Sequence, residues 1–262
     1  MEDKNKYYEM SEYQVVKANE LIQKSRFNLS TLQQKIVLFL ISKVKPTDEE
    51  FKRYEFSIYD FCQVCGIEPK GENYPAIRRA IKDISDKSMW LDLQDEDGTE
   101  TLIRWIHKPS FKRNSGTITL QLDEDLKPYL LQLKKNFTQY QLLWTLQFSC
   151  KYSIRLYELI KSYMFEPELI TEKVFELEAL KLALNAENHK TYYNFNVRAL
   201  APAVKEISEK SNIDLSYEPI KTGKTITHIK FIFSEYPRTD TRLRQLNIER
   251  KYNLNQFKFN DF

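Results

Sequence analysis

Apolar residues recur at helical spacing in two segments that lie about 120 residues apart. They are Ile77, Ala80, Ile81 and Ile84 in the first segment, and Leu200, Ala203, Val204 and Ile207 in the second. The spacing i, i+3, i+4, i+7 predicts an amphipathic helix that packs one stripe on a core and leaves the opposite face exposed. The sequence KDISDKS at Lys82–Ser88 also resembles KEISEKS at Lys205–Ser211. This similarity indicates an internal duplication.

The elements before these two helices repeat at an offset of 120 residues. The helical pattern of residues 32–40 recurs at residues 152–160, and the first copy opens with Ser30 and Gln33 in capping-box register. A short alternating strand and a second short helix are predicted after each copy. The strands are Tyr54–Ile58 and Val174–Leu177, and the short helices are Tyr59–Gly66 and Glu178–Asn185.

Alternating segments typical of β-strands follow each of the two amphipathic helices predicted at residues 77–84 and 200–207. They are Met89–Gln94, Thr101–His107 and Gly116–Leu122 in the first half, and Asn212–Tyr217 and Thr225–Phe233, joined by the KTGK turn, in the second. Each half therefore runs helix, strand, helix, helix, β-hairpin, which is the order of a winged helix-turn-helix. The predicted fold class is α+β, with two tandem winged-helix domains at residues 1–125 and 126–236, followed by a basic C-terminal tail at 237–262.

The distribution of charge indicates nucleic acid better than the total does. The chain has 40 basic and 37 acidic side chains, and its net charge of +3 identifies no partner. However, Thr101–Leu122 and Pro219–Ser234, the two predicted wings, contain no acidic residue. Because phosphate contacts favour such surfaces, we expect both domains to bind double-stranded DNA, with Arg and Asn as base readers. Solvated charged helix faces are the plainer alternative.

The candidate DNA-binding residues lie on the exposed faces of the two amphipathic helices and in the wings. They are Arg78, Arg79, Lys82, Lys108, Lys112 and Arg113 in the first half, and Lys190, Asn194, Asn196, Arg198, Lys205, Lys221 and Lys224 in the second. Lys230 lies in the second acid-free wing as well. The basic tail is open to two interpretations, a DNA-contacting arm or a disordered segment.

Composition argues against several functional classes. The five glycines stand alone, so neither a phosphate-binding loop nor a dinucleotide-binding turn can be written, and no cofactor is expected. The longest aliphatic and aromatic run is Ile36–Ile41, far shorter than the roughly 20 residues that cross a bilayer. The first residues lack the apolar region of a signal peptide. We expect no membrane partner and a location in the bacterial cytoplasm.

Catalytic and metal chemistry also find little support in the sequence. A rolling-circle initiator needs a tyrosine nucleophile and usually a metal held by paired histidines, but His107, His189 and His228 are isolated. We therefore expect no catalytic residues. Cys62 and Cys65 form a lone CxxC, which we interpret as core packing on a short helix, since a zinc site needs a second ligand pair. With only three cysteines, a reducing compartment is expected.

Two further features have a structural and a functional interpretation. The acidic run at residues 95–97, before Gly98, fits a hairpin turn better than a cation site. Trp90, Trp105 and Trp144 are expected in the core, although an exposed tryptophan could wedge into or stack on melted DNA.

Four segments resemble the replication initiator proteins of iteron-controlled bacterial plasmids. They are VVKANELIQ (Val15–Gln23), FNLSTLQQKIVLFLIS (Phe27–Ser42), CKYSIRLYELIKSY (Cys150–Tyr163) and YYNFNVRALAPAVKEIS (Tyr192–Ser208). The resemblance covers about residues 12–235, and KYSIRLYEL is its most specific part. It implies a non-enzymatic initiator with two winged-helix domains. Members of that family bind tandem origin repeats as monomers, help to melt AT-rich DNA, and recruit the host initiator ATPase and replicative helicase.

The resemblance also implies a division of labour. As dimers, members of the family bind an operator inverted repeat and repress their own gene. The first domain would dimerise and contact the DNA backbone, and the second would read bases around Asn194, Asn196 and Arg198. Asn196 stands where relatives commonly carry Lys or Arg, and Ala199 replaces a larger apolar residue, which leaves the base preference open. Pro202 should kink the helix or mark a new first turn.

Two other functions remain open from the sequence. A winged-helix transcriptional repressor without a role in replication would show the same spacing and charge. A protein-interaction module built from winged helices would bind duplex DNA only weakly. If both domains read DNA, successive major-groove faces about 10 bp apart give a site of roughly 20 bp without internal palindromy, and such sites lie head to tail.

Overall fold

A computed structural model describes residues 14–45, 47–64, 67, 73–92, 99–112, 115–166 and 169–237. The helices in these ranges are α1 (Asn19–Lys24), α2 (Thr31–Ile41), α3 (Ile58–Val64), α4 (Asn73–Asp86), a 3₁₀ turn (Glu124–Leu126), α5 (Lys127–Leu130), α6 (Leu142–Leu146), α7 (Lys151–Lys161), α8 (Leu177–Ala183), α9 (Tyr192–Phe195), a π segment (Asn196–Leu200) and α10 (Ala201–Lys210). None of them is long and apolar enough to cross a membrane.

The strands fall into four antiparallel sheets. They are β1 (Gln14–Ala18), β2 (Ser25–Arg26), β3 (Tyr54–Ser57), β4 (Ser88–Asp92), β5 (Glu100–Arg104), β6 (Ile106–Phe111), β7 (Thr117–Leu122), β8 (Phe137–Gln141), β9 (Thr171–Glu176), β10 (Ile213–Thr222) and β11 (Thr225–Glu235).

The two halves share the winged-helix arrangement. In the second half, α7, β9, α8 and the helical segment of residues 192–210 precede the β10–β11 hairpin, and the sheet order is β10-β11-β9. In the first half, α2, β3, α3 and α4 precede the β6–β7 hairpin, and the sheet order is β6-β7-β3. In both sheets the strand after the first helix pairs with the last strand of the wing. The α+β prediction of two duplicated winged helices is confirmed.

The single hairpin predicted for the first half is wrong in detail. Strand β4 pairs with β5 in a separate sheet that also includes β2, whereas β6 and β7 form the wing. The sequence offset therefore matches β4 to β10, although β6 takes the place of β10 in the sheet. An additional hairpin, β4–β5, therefore lies between α4 and the wing in the first half. The sequence repeat could not predict this, because strands with similar alternating patterns can pair in several ways.

A junction of strands and helices joins the two halves. Strand β1 pairs antiparallel with β8 over five residues, and α2 packs on α6 and α7. The side chain of Gln34 on α2 donates to the backbone oxygens of Leu29 and Lys151 at 3.1 and 2.9 Å. Strand β8 comes after residue 125, so this pairing crosses the predicted domain boundary. That boundary stays a prediction.

Local signals in the sequence account for the start of α2 and the start of α10. Ser30 and Gln33 form the predicted capping box at the start of α2. In the second half, Pro202 follows the π segment, in which the backbone N–H of Ala201 bonds the carbonyl of Asn196, five residues earlier. Proline lacks the N–H that would continue the α-helical ladder, and the wider turn takes up the mismatch. Of the two predicted outcomes, Pro202 marks a new first turn, that of α10, which follows the π segment.

Two tryptophans and Cys62 lie in the core, as predicted, whereas the third tryptophan lies at the surface. Trp105 and Trp144 are buried, but Trp90 on β4 is 46% exposed, so its predicted core position is wrong. Cys62 is buried as expected, and burial raises the pKa of its thiol to about 11. Cys65 and the turn at residues 95–98 lie outside the described residues.

Glu206 connects α10 to the start of α7. Its carboxylate accepts from the backbone N–H of Ser149 at 2.8 Å and of Cys150 at 3.0 Å, and from Lys210 Nζ at 2.7 Å. Burial alone would raise the pKa of this carboxyl group, but the hydrogen bonds from Lys210 and Ser149 outweigh it and lower the pKa to about 2. The charged form of Glu206 therefore stabilises the fold.

This depressed pKa predicts a pH dependence of stability. The contribution of Glu206 is complete above its unfolded pKa of about 4.5 and is lost as the pH falls through its folded pKa of about 2. We expect Glu206→Gln to lower the free energy of unfolding at pH 7 by about 2 kcal/mol and to flatten its acid dependence between these values. Urea unfolding at several pH values measures both effects. Equal losses of stability at pH 7 and pH 2 would contradict the assignment.

Candidate DNA interface

The recognition helix of the second domain extends over residues 192–210. Thr191 caps its start, with its hydroxyl accepting from the backbone N–H of Asn194 at 3.2 Å. One face is packed into the core by residues that are fully buried, which are Phe195, Ala199, Leu200, Ala203 and Ile207. The opposite face is exposed and carries Arg198 and Lys205, as the sequence pattern predicts.

The two asparagines predicted to read bases lie at the side of this helix. Asn194 and Asn196 are both half-buried, and Asn196 Oδ1 accepts from the hydroxyl of Tyr217 on β10 at 2.5 Å. A bidentate contact with adenine needs the amide oxygen and the amide NH₂ together. As long as Tyr217 holds this oxygen, Asn196 offers only its NH₂ group. The π segment begins at Asn196, so this hydrogen bond also fixes the wing strand β10 to the wide turn.

The wing of the second domain carries exposed lysines at its tip. Strands β10 and β11 are joined through Gly223 and Lys224, and Gly223 has φ +63°, a conformation that glycine adopts without steric cost. Lys221 and Lys224 are exposed beside this turn. Lys230 lies lower on β11 between two carboxylates, Glu218 at 2.9 Å and Glu172 at 3.5 Å. A stretch that is acid-free in sequence is therefore not acid-free in space, and Lys230 is already neutralised.

The start of the recognition helix is electropositive. His189 hydrogen-bonds the hydroxyl of Tyr152 at 3.1 Å. The pKa of His189 lies below its ordinary value because of burial and because Arg198, Lys151 and Lys181 disfavour a further positive charge. Lys190 is exposed at the same end of the helix. Of these cations, Lys181 is buried and paired with Glu178 at 2.7 Å, whereas Arg198 and Lys190 are exposed and available to a phosphate or a base edge.

The first domain presents its basic residues differently. Arg78 on α4 lies over the ring of Phe111 on β6, at 4.9 Å from the ring centroid, and both line a cavity of about 390 Å³ between the helix and the wing. Lys112 lines the same cavity and is exposed. Arg79 is exposed on α4, and Lys108 is exposed at a bulge in β6 with φ 39°. The helix and wing thus bring Arg78 and Lys112 together.

Three predicted residues are less available than their positions suggest or cannot be placed. Lys82 on α4 pairs with Asp86 at 2.6 Å, and Lys205 on α10 pairs with Glu209 at 3.8 Å. Both pairs are exposed, so a phosphate could replace the carboxylate at small cost. Arg113 lies outside the described residues, as does the tail beyond residue 237.

Comparison with known proteins identifies the family of the chain. The model described as "Initiator Replication protein, WH1" matches residues 14–161, and that described as "Initiator Rep protein, WH2" matches residues 176–233. The chain belongs to the family of winged-helix replication initiator proteins. Both matched models describe winged-helix domains of replication initiators, and neither description names an enzymatic activity.

Individual relatives agree with this assignment. The initiator is 28% identical over 265 residues to a replication initiation protein of Escherichia coli, an alignment that covers 96% of this chain and 77% of the relative. It also resembles the crystal structure of the Pi initiator protein in complex with iteron DNA, with a TM-score of 0.69 and 18% identity, over 86% of this chain and 98% of that chain. The latter similarity supports the tandem winged-helix fold.

Sequence reasoning missed two residues on the recognition helix of the initiator. Tyr193 is 72% exposed and Val197 is 49% exposed, and they lie next to Arg198 on the outward face. The signal that could have found them is spacing, because residues four apart on a helix share a face and neither residue belongs to the buried stripe. Neither residue carries a charge or an amide, the two features by which the other candidates were selected.

Proposed function

We propose that the protein initiates plasmid replication by binding tandem origin repeats through both winged-helix domains. The observation that carries this proposal is the second recognition helix, which exposes Arg198 and is hydrogen-bonded through Asn196 to the wing strand β10, in a chain of the initiator family. The similarity to an initiator crystallised with iteron DNA supports direct repeats as the target. The protein would act on plasmid DNA in the bacterial cytoplasm.

The two domains have different roles in this proposal. In the second domain, Asn194 and Arg198 read base edges, and Lys190, Lys221 and Lys224 contact phosphates. In the first domain, Arg78, Arg79, Lys108 and Lys112 contact the DNA backbone, and the same domain dimerises. The arrangement of Arg78 over Phe111 supports a phosphate contact, since the ring holds the guanidinium in a fixed position at the edge of the wing.

The steps that follow binding need partners. A chain without a phosphate-binding loop supplies only binding energy, so we propose that it bends and helps to melt the adjacent AT-rich DNA and recruits the host initiator ATPase and replicative helicase. Dimers of the protein would bind an operator inverted repeat and repress its gene. Conversion between monomer and dimer would then decide between replication and repression.

A footprint on plasmid DNA beside the gene tests the proposal. We expect protection of direct repeats that recur about every 20 bp, because two winged helices in one chain span about two turns of duplex. A plasmid that carries these repeats should be maintained only in cells that supply the protein. Control cells supply the variant Arg198→Ala. Repression of the gene without plasmid maintenance would favour a transcriptional repressor, and no preference for any duplex would favour a protein-interaction module.

A further inference from the structure

An apolar pair lies near the start of the second recognition helix, on its exposed face. Tyr193 is 72% exposed and Val197 is 49% exposed, and they are four residues apart. Arg198 follows directly, and Pro202 is exposed farther along the same helix. The spacing of four places Tyr193 and Val197 on one face, and the π hydrogen bond from Ala201 N–H to Asn196 O places Pro202, five residues after Val197, on the same side.

The fold does not use these two side chains. The packed face of the helix is complete, with Phe195, Ala199 and Leu200 fully buried beneath it. A large apolar side chain that stays in water gives up the stabilisation that its burial would provide. Surface positions of a helix whose only role is solvation are filled as well by polar residues. Tyr193 and Val197 therefore fit a surface that is buried by a binding partner.

The cations of the second domain favour DNA as the partner that covers this pair. Arg198 on the same face and the wing residues Lys221 and Lys224 have no carboxylate partner among the residues that the structure describes. In the major groove, the one apolar group that a base pair presents is the 5-methyl group of thymine. The side-chain oxygen of Asn196 accepts from Tyr217, so this amide cannot form a bidentate contact with adenine. In an A·T pair, the thymine methyl group then remains as the feature that the helix can recognise.

We propose that Tyr193 and Val197 read thymine 5-methyl groups in the recognised repeat. The pair supplies apolar specificity beside Arg198, which reads guanine, so the preferred sequence combines thymines with an adjacent G·C pair. This inference rests on the proposed function, in which the second domain reads bases.

Replacement of single thymines by deoxyuridine tests the inference, since it removes the methyl group and leaves base pairing intact. The probe is a fluorescent duplex of the footprinted repeat, in which each thymine is replaced in turn and the Kd is measured by anisotropy. We expect Kd to rise about fourfold at each position whose methyl group is contacted, which corresponds to about 0.8 kcal/mol for one buried methyl group. Positions outside the interface should show no change.

Two variants assign the effect to the residues. In Val197→Ala and in Tyr193→Ala, binding should no longer respond to deoxyuridine at the position that each residue contacts, while Arg198 keeps its preference for guanine. Val174→Ala is the matched control, because Val174 is 46% exposed but belongs to β9 and not to the recognition helix. Its deoxyuridine profile should equal that of the unmodified protein. Circular dichroism verifies that the variants remain folded.

The outcomes separate the inference from the proposed function. If the protein binds the repeat specifically and deoxyuridine changes Kd at no position, the inference is overturned and the proposed function stands. The same holds if the sensitive positions respond equally in Val197→Ala, Tyr193→Ala and Val174→Ala. If the protein prefers no duplex sequence, both are overturned.

Discussion

Replacement of Lys17 by methionine is expected to lower the free energy of unfolding by about 3 to 5 kcal/mol, the usual cost of removing one partner of a buried ion pair. Lys17 on β1 donates to Glu158 Oε1 on α7 at 2.8 Å, and each side chain is 2% exposed. The hydroxyl of Tyr140 on β8 donates to the same oxygen at 2.6 Å. Without Lys17, the carboxylate of Glu158 would stay buried, and of these two donors it would keep only the hydroxyl of Tyr140.

Two comparisons separate the charge from the packing. Lys24→Met is the matched control, because Lys24 pairs with Glu20 at 3.0 Å but these side chains are 28% and 41% exposed, and such pairs contribute about 1 kcal/mol or less. The double variant Lys17→Met with Glu158→Gln should recover most of the stability, since it removes the unpaired charge and keeps an acceptor for Tyr140. Urea unfolding with constant m values measures all three. Equal effects of Lys17→Met and Lys24→Met would contradict the prediction.

The position of this pair explains why it matters beyond stability. It joins the β1–β8 ladder to α7, the first helix of the second winged helix. One turn earlier on α7, the guanidinium of Arg155 donates to the backbone oxygens of Ser25 and Ala183, at 2.7 and 3.2 Å, and lies over the ring of Phe27. Polar groups of both halves thus converge on α7. A buried charge favours the one geometry that satisfies it, so this cluster fixes how the halves meet.

Features that depend on neighbours in the sequence could be predicted. The apolar stripes, the capping box of Ser30 and Gln33, and the break before Pro202 follow from residues within two turns of each other. The order of these elements in each half was then sufficient to predict a winged helix. Helix–turn–wing order is local information, and the duplication provided it twice.

Features that depend on distant partners could not be predicted. The pairing of β1 with β8, and the separation of β4–β5 from the wing, join strands whose alternating patterns would allow several partners. The hydrogen bond from Tyr217 to Asn196 joins a wing strand to the recognition helix, and Glu172, one of the two carboxylates around Lys230, comes from the distant strand β9. Each of them changes the availability of a predicted DNA-binding residue. The candidate DNA contacts were therefore predicted less reliably than the fold.

Arg198→Ala is expected to weaken binding to the specific repeat by about 1 to 3 kcal/mol, or roughly 5-fold to 150-fold in Kd. Arg198 is exposed on the recognition helix, and in the described part of the chain no carboxylate pairs with it. A guanidinium that contacts guanine O6 and N7 discriminates between bases, so the weakening should be confined to the specific sequence. Binding to unrelated duplex DNA should change much less. Anisotropy titrations with both duplexes measure the ratio.

Lys221→Ala is expected to give a different result from Arg198→Ala, and the difference tests whether Arg198 contacts a base. Lys221 is exposed on the wing, and its proposed role is a phosphate contact that does not depend on the base sequence. Its removal should weaken binding to specific and unrelated duplexes alike, and should reduce the slope of log K against log salt by about 0.9, the amount that one phosphate neutralised by a lysine contributes. Lys224→Ala should behave in the same way. If Arg198→Ala weakens binding to both duplexes equally, Arg198 contacts the backbone and base reading belongs to other residues of the helix. If neither lysine variant changes the salt slope, the wing is solvated and the second domain binds through its helix alone.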